Sequence, residues 1–201
     1  MFLVGCGNTS HQEHSFYGHY KLSKKEIALL QEGDIILRQG QGFVSNLIMK
    51  TLKEEISLSH VGLLVLDSAG NFDVIHSVSS TLSDFDGVQK QNLLTFVKES
   101  VPRTVVVVRY NKINEIPEKA NNLSEQATFY LKQQIPFDHS FDHNDTTHFF
   151  CTELIWRVYK EVFNDEIYEM KSNENLLEKL KFYHFFNPEK FTTIINHQRL
   201  E

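Results

Sequence analysis

The sequence predicts one α+β domain with a central, mostly antiparallel sheet packed against helices, and three observations predict it. Short runs rich in β-branched residues, DIILR at 34–38, HVGLLVL at 60–66 and VVVVRY at 105–110, read as strands. The turn sequence DSAGN at 67–71 joins HVGLLVL directly to FDVIHS at 72–77, which makes that pair an antiparallel hairpin. Other segments repeat their apolar residues at the helical period. At 201 residues, 41% hydrophobic and 12% aromatic, the chain has the size of a single domain able to bury most of its apolar surface.

Taken in order, Ser23 reads as the N-cap of a helix over 24–33, with Glu26 completing a capping box and Gly33 as the stop signal. Residues 34–38 leave that helix as a strand. FVSNLIMKTL, 43–52, places Val44, Leu47, Ile48 and Leu52 on one face and predicts a second helix. LLTFVK at 93–98 predicts a short helix, and the β-branched run at 105–110 a central strand. After Pro117, residues 118–134 space Ala120, Leu123, Ala127, Tyr130 and Leu131 as a helix does, and Pro136 ends it. FDHSFDHNDTTH at 137–148 has loop composition. Residues 149–163 return to helical spacing through Leu154, Ile155, Val158, Tyr159 and Val162. A last helix over 174–182 and a loop or strand through 191–195 complete the domain.

A formal net charge of -6 and a pI near 5.9 leave no basic stripe, which argues against nucleic acid as a partner and against docking on an anionic membrane by charge. A cleft for a modest-sized substrate stays open as a function class. No stretch reaches the ~18 apolar residues of a membrane span. Two cysteines, Cys6 and Cys151, are too few for a disulfide framework, so the fold rests on its core. The apolar start ending in Leu3-Val4-Gly5-Cys6 resembles the lipobox of bacterial lipoproteins, whose Cys becomes the lipidated N-terminus, and the polar run after it suits a tether. Residues 1–20 are therefore expected as a lipobox-like segment and flexible tether, and 21–201 as the domain. Only five residues precede Cys6, fewer than the ~7–15 apolar residues of a complete signal core. Either the sequence starts inside its signal peptide, which puts the protein in the cell envelope on a membrane tether through Cys6, or Cys6 belongs to a short apolar terminus of a cytoplasmic protein.

The chemistry centres on Cys151, in the first turn of the helix that Asn144, Asp145, Thr146 or Thr147 would cap or lead into. Unpaired N–H groups and the helix dipole there favour the thiolate, bringing the Cys pKa below its free value of about 8.5. A general base is on offer from His60, at the start of one strand, or His76, near the end of the next. Position alone favours the opposite reading. A Cys between Phe150 and Leu154 suits a core, and a His beside an apolar strand suits a structural hydrogen bond.

Four blocks in order sharpen the choice: Gly33-Asp34-Ile35-Ile36-Leu37, Ser59-His60-Val61-Gly62-Leu63-Leu64-Val65, Val74-Ile75-His76-Ser77 and Phe150-Cys151-Thr152-Glu153-Leu154-Ile155. Together they resemble the circularly permuted NlpC-type cysteine hydrolases, and within them the YiiX-like (YebB-like) group, in which the His strands precede the Cys helix. The resemblance covers about residues 33–163. It implies a permuted papain-like fold, with a mostly antiparallel sheet or partial barrel against helices, and no cofactor. It makes Cys151 the nucleophile, His60 the base and His76 the third polar group that orients His60. A slip of one residue in the hairpin would turn His76 to the face opposite His60. Many relatives carry a Tyr where Phe137 stands, so the oxyanion is expected to rely on backbone N–H groups, including that of Cys151. Glu153 is read as a first-turn carboxylate favoured by the helix dipole, and Asp34 as a brace for its loop.

The implied reaction is acyl transfer on an amide of a cell-wall peptide or a small amino-acid conjugate. Some relatives act on acyl lipids instead, and the scaffold also admits an inactive binding protein. The segments 38–43 and 77–91 are the expected walls of a cleft. A rival from another class is a metal site built from His139, Asp142, His143 and His148, although their segment lacks a recognisable metal-site spacing.

Overall fold

A computed structural model of the chain describes residues 20–41, 43–52, 56–142, 144–167 and 181–199. Cys6 and the expected tether lie outside them, as do all but the last two residues of the helix expected over 174–182. The order of elements is α1 (Lys24–Ile27), β1 (Ile35–Arg38), α2 (Phe43–Leu52), β2 (His60–Leu66), β3 (Phe72–Val78), β4 (Gly87–Asn92), α3 (Leu93–Lys98), β5 (Val106–Tyr110), α4 (Asn111–Glu115), α5 (Lys119–Lys132), α6 (Cys151–Phe163) and β6 (Phe191–Asn196). The expected α+β class holds. The sheet has six strands in the order β4-β3-β2-β1-β5-β6, every neighbouring pair antiparallel, and it stays open rather than closing into a barrel.

Helices cover both faces of this sheet, which is why its central strands read as unbroken apolar runs instead of alternating. Side chains alternate along each strand. Ile35, Leu37, Val61, Leu63, Ile75, Val106 and Val108 point into the larger core under α5 and α6, with Leu154, Ile155, Val158 and Tyr159 as the buried stripe of α6. Ile36, Leu64, Val74 and Val107 point the other way, into a smaller core closed by Leu93, Phe96 and Val97 around α3.

Local chemistry explains the elements. The Ser23 and Glu26 capping box forms, but α1 is a single turn ending at Ile27, shorter than expected, and the chain turns through Gly33 at φ +83 before β1. Asp34 is fully buried and accepts from Arg109 Nε at 2.7 Å and Nη2 at 2.8 Å and from the Gln31 amide at 2.8 Å. That pair braces the entrance to β1 against β5, the structural role expected of Asp34. β4 is a strand the sequence did not predict, because GVQKQN is a polar edge strand with only Gly87 and Val88 buried.

Candidate active site

The hairpin register decides which side chains meet. Leu63 pairs with Ile75 and Leu64 with Val74, so Gly62 stands at the level of His76, and His60 lies two residues along on the same face. His60 Nε2 and His76 Nδ1 share a hydrogen bond of 2.7 Å, the rings crossing at 72° with centroids 5.0 Å apart. Gly62 makes room for this contact. A Cβ there would lie 2.4 Å from Val74 Cγ1 and 3.2 Å from His76 Cβ. Phe96 of α3 packs against both imidazoles, at 5.8 Å from His60 and 5.5 Å from His76, and its ring also carries the Arg38 guanidinium at 3.9 Å.

Beyond Leu63 and Ile75 the two strands part. β2 runs on to His60 along β1, and β3 runs on to Val78 along β4, but no ladder joins them there. By the alternation of an antiparallel ladder, the Val61 N–H points into this gap. The start of α6 fills it from the larger-core face. Ser77 Oγ donates to the Phe149 carbonyl at 2.6 Å, and the Val61 N–H, one residue along β2 from His60, lies close enough to the Cys151 sulfur to favour its thiolate. The thiol and the two imidazoles therefore reach the parted strands from opposite faces of the sheet. The backbone N–H groups of Thr152, Val61 and Cys151 itself all favour the thiolate.

The electrostatics differ from the sequence expectation at one point. The Cys151 thiol is pushed up to about 11 because burial disfavours the thiolate more than the three N–H groups favour it. The helix end alone predicted a shift in the other direction. Neither Asp145 nor Thr147 caps α6. They bond each other in the loop, Thr147 N to Asp145 Oδ1 at 2.7 Å, and Phe150 occupies the N-cap with no side-chain bond. His60 is held well below the ordinary imidazole value by burial, by His76 and by the charge of Arg38. Burial and Arg38 hold His76 down at about 3. At neutral pH the three groups are a thiol and two neutral imidazoles.

A cleft of about 450 Å³ opens on the imidazole side. Arg38, Gly40, Gln41, Ser45 and Ser59 form one wall, and Val78, Leu82, Ser83, Gln89 and Gln91 the other, with His60 and His76 at the base. Both expected wall segments contribute. Cys151 is not among its lining residues, consistent with its approach from the far face. Sequence reasoning missed Phe96 and had Arg38 only as the first residue of an expected cleft wall. Phe96 carried no signal, whereas Arg38, a charged residue ending a buried strand opposite His60, did.

Other expected residues stand elsewhere. Glu153 stands in the first turn of α6 as expected, but it is fully buried: it accepts from Arg157 Nε at 2.8 Å, Arg157 Nη2 donates to the Asp145 carbonyl of the preceding loop at 2.7 Å, and burial pushes the Glu153 carboxyl up to about 7. Phe137 packs on His139 and Phe141, and Phe141 on Phe150, an aromatic chain beside the start of α6 without a hydroxyl. The expected metal cluster disperses. His139 bonds Asp86 at 3.1 Å, His148 bonds Asp145 at 2.8 Å, and His143 lies outside the described residues.

Residues 29–193 match the family model described as permuted papain-like amidase enzyme, YaeF/YiiX, C92 family. Five solved chains are similar in structure. One is the metalloprotein yiiX from Escherichia coli O157:H7, 22% identical, with a TM-score of 0.61 over 83% of this chain and 97% of that one. Comparison with curated protein sequences finds no match. Among the described residues of this chain, no group of three or more His, Cys, Asp and Glu is placed to hold a metal ion.

Proposed function

The chain belongs to the permuted papain-like amidases, a family of cysteine hydrolases of amide bonds, and from that premise we propose that Cys151, His60 and His76 perform the reaction. The observation that supports this reading best is the seam between β2 and β3, where the sulfur meets the Val61 N–H beside a His60 ring already held by His76. His76 Nδ1 accepts from His60 Nε2–H, which leaves His60 Nδ1 unprotonated and able to take a proton. Through the gap where β2 and β3 part, His60 removes the thiol proton as the sulfur attacks the amide carbon, and the N–H groups at the start of α6 receive the negative charge of the carbonyl oxygen. His60 then protonates the nitrogen as the C–N bond breaks, and the amine leaves. A water, deprotonated by His60, attacks the thioester; the C–S bond breaks, the acid departs and the thiol regains its proton. Because the resting thiol is neutral, proton transfer to His60 accompanies attack rather than preceding it. The substrate class is a small molecule or peptide carrying an amide, with a cell-wall peptide or amino-acid conjugate as the first choice.

The test is a hydrolysis screen of muropeptides, acyl-amino acids and lipid esters with wild type, Cys151→Ala and His60→Ala. Both variants are expected to keep the wild-type melting temperature within a few degrees and to lose hydrolysis by a factor of about 10² or more. Labelling by a cysteine-directed electrophile is expected to slow in His60→Ala. Unchanged labelling and turnover in that variant remove His60 from the mechanism. Preferential cleavage of lipid esters moves the substrate class to acyl lipids.

A further inference from the structure

We propose that Arg38 recognises a carboxylate on the leaving amine, so that the site takes amides of amino acids whose α-carboxylate is free. This rests on the reading above, in which His60 protonates the departing nitrogen.

Arg38 ends β1 directly across from His60 in the β1–β2 register, on the same face, and it lines the cleft. It is 8% exposed, and it is the only cation among the described residues that line the cleft. Burying a guanidinium is unfavourable unless its donors are satisfied. Those of Arg38 are not. Nη1 donates to the Phe96 carbonyl, while Nε is buried and has no partner. Glu99 approaches Nη1 only to 3.6 Å, its side chain 52% exposed and its carboxylate already taking the Gln91 amide at 2.9 Å. An exposed ion pair at that distance is weak and yields to a better partner.

The cleft is incomplete at two other points near this cation. His76 Nε2 and Gln91 Oε1 are buried without partners. Three orphaned polar atoms around one cleft are what a polar ligand would satisfy. The cationic one selects an anion, and the planar guanidinium selects a carboxylate. Spacing then fixes the side of the amide. Cross-strand neighbours on one face stand about 5 Å apart, and an amino acid's carboxylate is two bonds from its nitrogen. A carboxylate on Arg38 thus places that nitrogen beside His60, where the proton must be delivered. Asp84 and Glu99, the anions among the lining residues, are both exposed.

Binding of N-hexanoylglycine and of N-hexanoylglycinamide, followed by NMR titration of Cys151→Ala protein, tests this without turnover. The acid is expected to bind about tenfold more tightly than the amide, as for a charge-assisted hydrogen bond. Adding Arg38→Gln should remove the preference, so that acid and amide bind with equal affinity. Adding Arg38→Lys should retain a reduced preference, which carries the test if the Gln variant melts early. Equal affinity for acid and amide, no detectable binding of the acid, or a preference that survives Arg38→Gln overturns the proposal. Wild-type protein that hydrolyses both compounds equally sinks the carboxylate subsite and leaves the amidase mechanism standing. Carboxylate preference without hydrolysis by wild type does the reverse.

Discussion

Gly62 makes no chemical contribution, yet Gly62→Ala is expected to damage both stability and turnover. Its φ is not in the left-handed range, so the reason for glycine is space. The new Cβ would stand 2.4 Å from Val74 Cγ1, where carbon atoms pack at about 3.5–4.0 Å, so something must move by roughly 1 Å. Val74 is fully buried against Leu64 and α3 and has nowhere to retreat. Overpacking of this kind costs about 1–3 kcal/mol, more than the ~0.4–1 kcal/mol that replacing Gly returns through the unfolded chain. For a chain of this length a net loss of about 1–2 kcal/mol lowers Tm by roughly 2–8 °C. The second contact, 3.2 Å to His76 Cβ, pushes that ring away from His60 and should lower kcat by about tenfold or more. Thermal melts and steady-state kinetics at saturating substrate read the two effects separately. Adding Val74→Ala removes the offending methyl, so the double variant should be more stable than the sum of the singles by about 1 kcal/mol. Wild-type Tm and kcat in Gly62→Ala, or simple additivity in the double variant, would refute the steric account of this glycine.

Three further outcomes follow from buried titratable and charged groups. Unfolded histidines titrate near 6.5 while His76 holds out to about 3, so the unfolded state binds the extra proton between those values. The corresponding stability is complete above about pH 6.5 and is lost as pH falls toward 3, on the order of a few kcal/mol, a loss that His76→Gln should reduce in denaturant melts at pH 7 and pH 4. By the same sign, the acid limb of kcat/KM should lie well below pH 6.5, and Arg38→Gln should move it upward because the Arg38 charge helps keep both imidazoles neutral. Asp34→Ala strands Arg109 as a buried cation and should cost about 3–5 kcal/mol. A calorimetric Tm near that of wild type would show that the brace is dispensable.

How far the sequence reaches depends on the kind of interaction. Strands and helices with strong patterns, such as HVGLLVL and LLTFVK, stand where their spacing put them. β4 escaped because Gln89, Lys90, Gln91 and Asn92 carry no apolar signal; only its pairing with β3 makes it a strand. The side to which His76 points was undecidable because a five-residue turn does not impose one register, whereas the Leu63–Ile75 pairing does. The thiol's direction of shift was misjudged for a related reason. A helix end is local and readable, but the burial that outweighs it is supplied by residues distant in the chain. Asp145 and Thr147 likewise looked like caps until the loop gave them each other.

The wedge of α6 between β2 and β3 has a consequence for the order in which the chain becomes an enzyme. The hydrogen bond that seats it, Ser77 to Phe149, spans 72 residues, so the imidazole pair can be synthesised and paired long before the proposed nucleophile, Cys151, exists. Closing so long a loop is slow compared with forming the hairpin. Until it closes, the Val61 N–H lacks its sulfur and the seam is bare. Neither half of the chain holds all three proposed groups, and competence arrives only once α6 has docked.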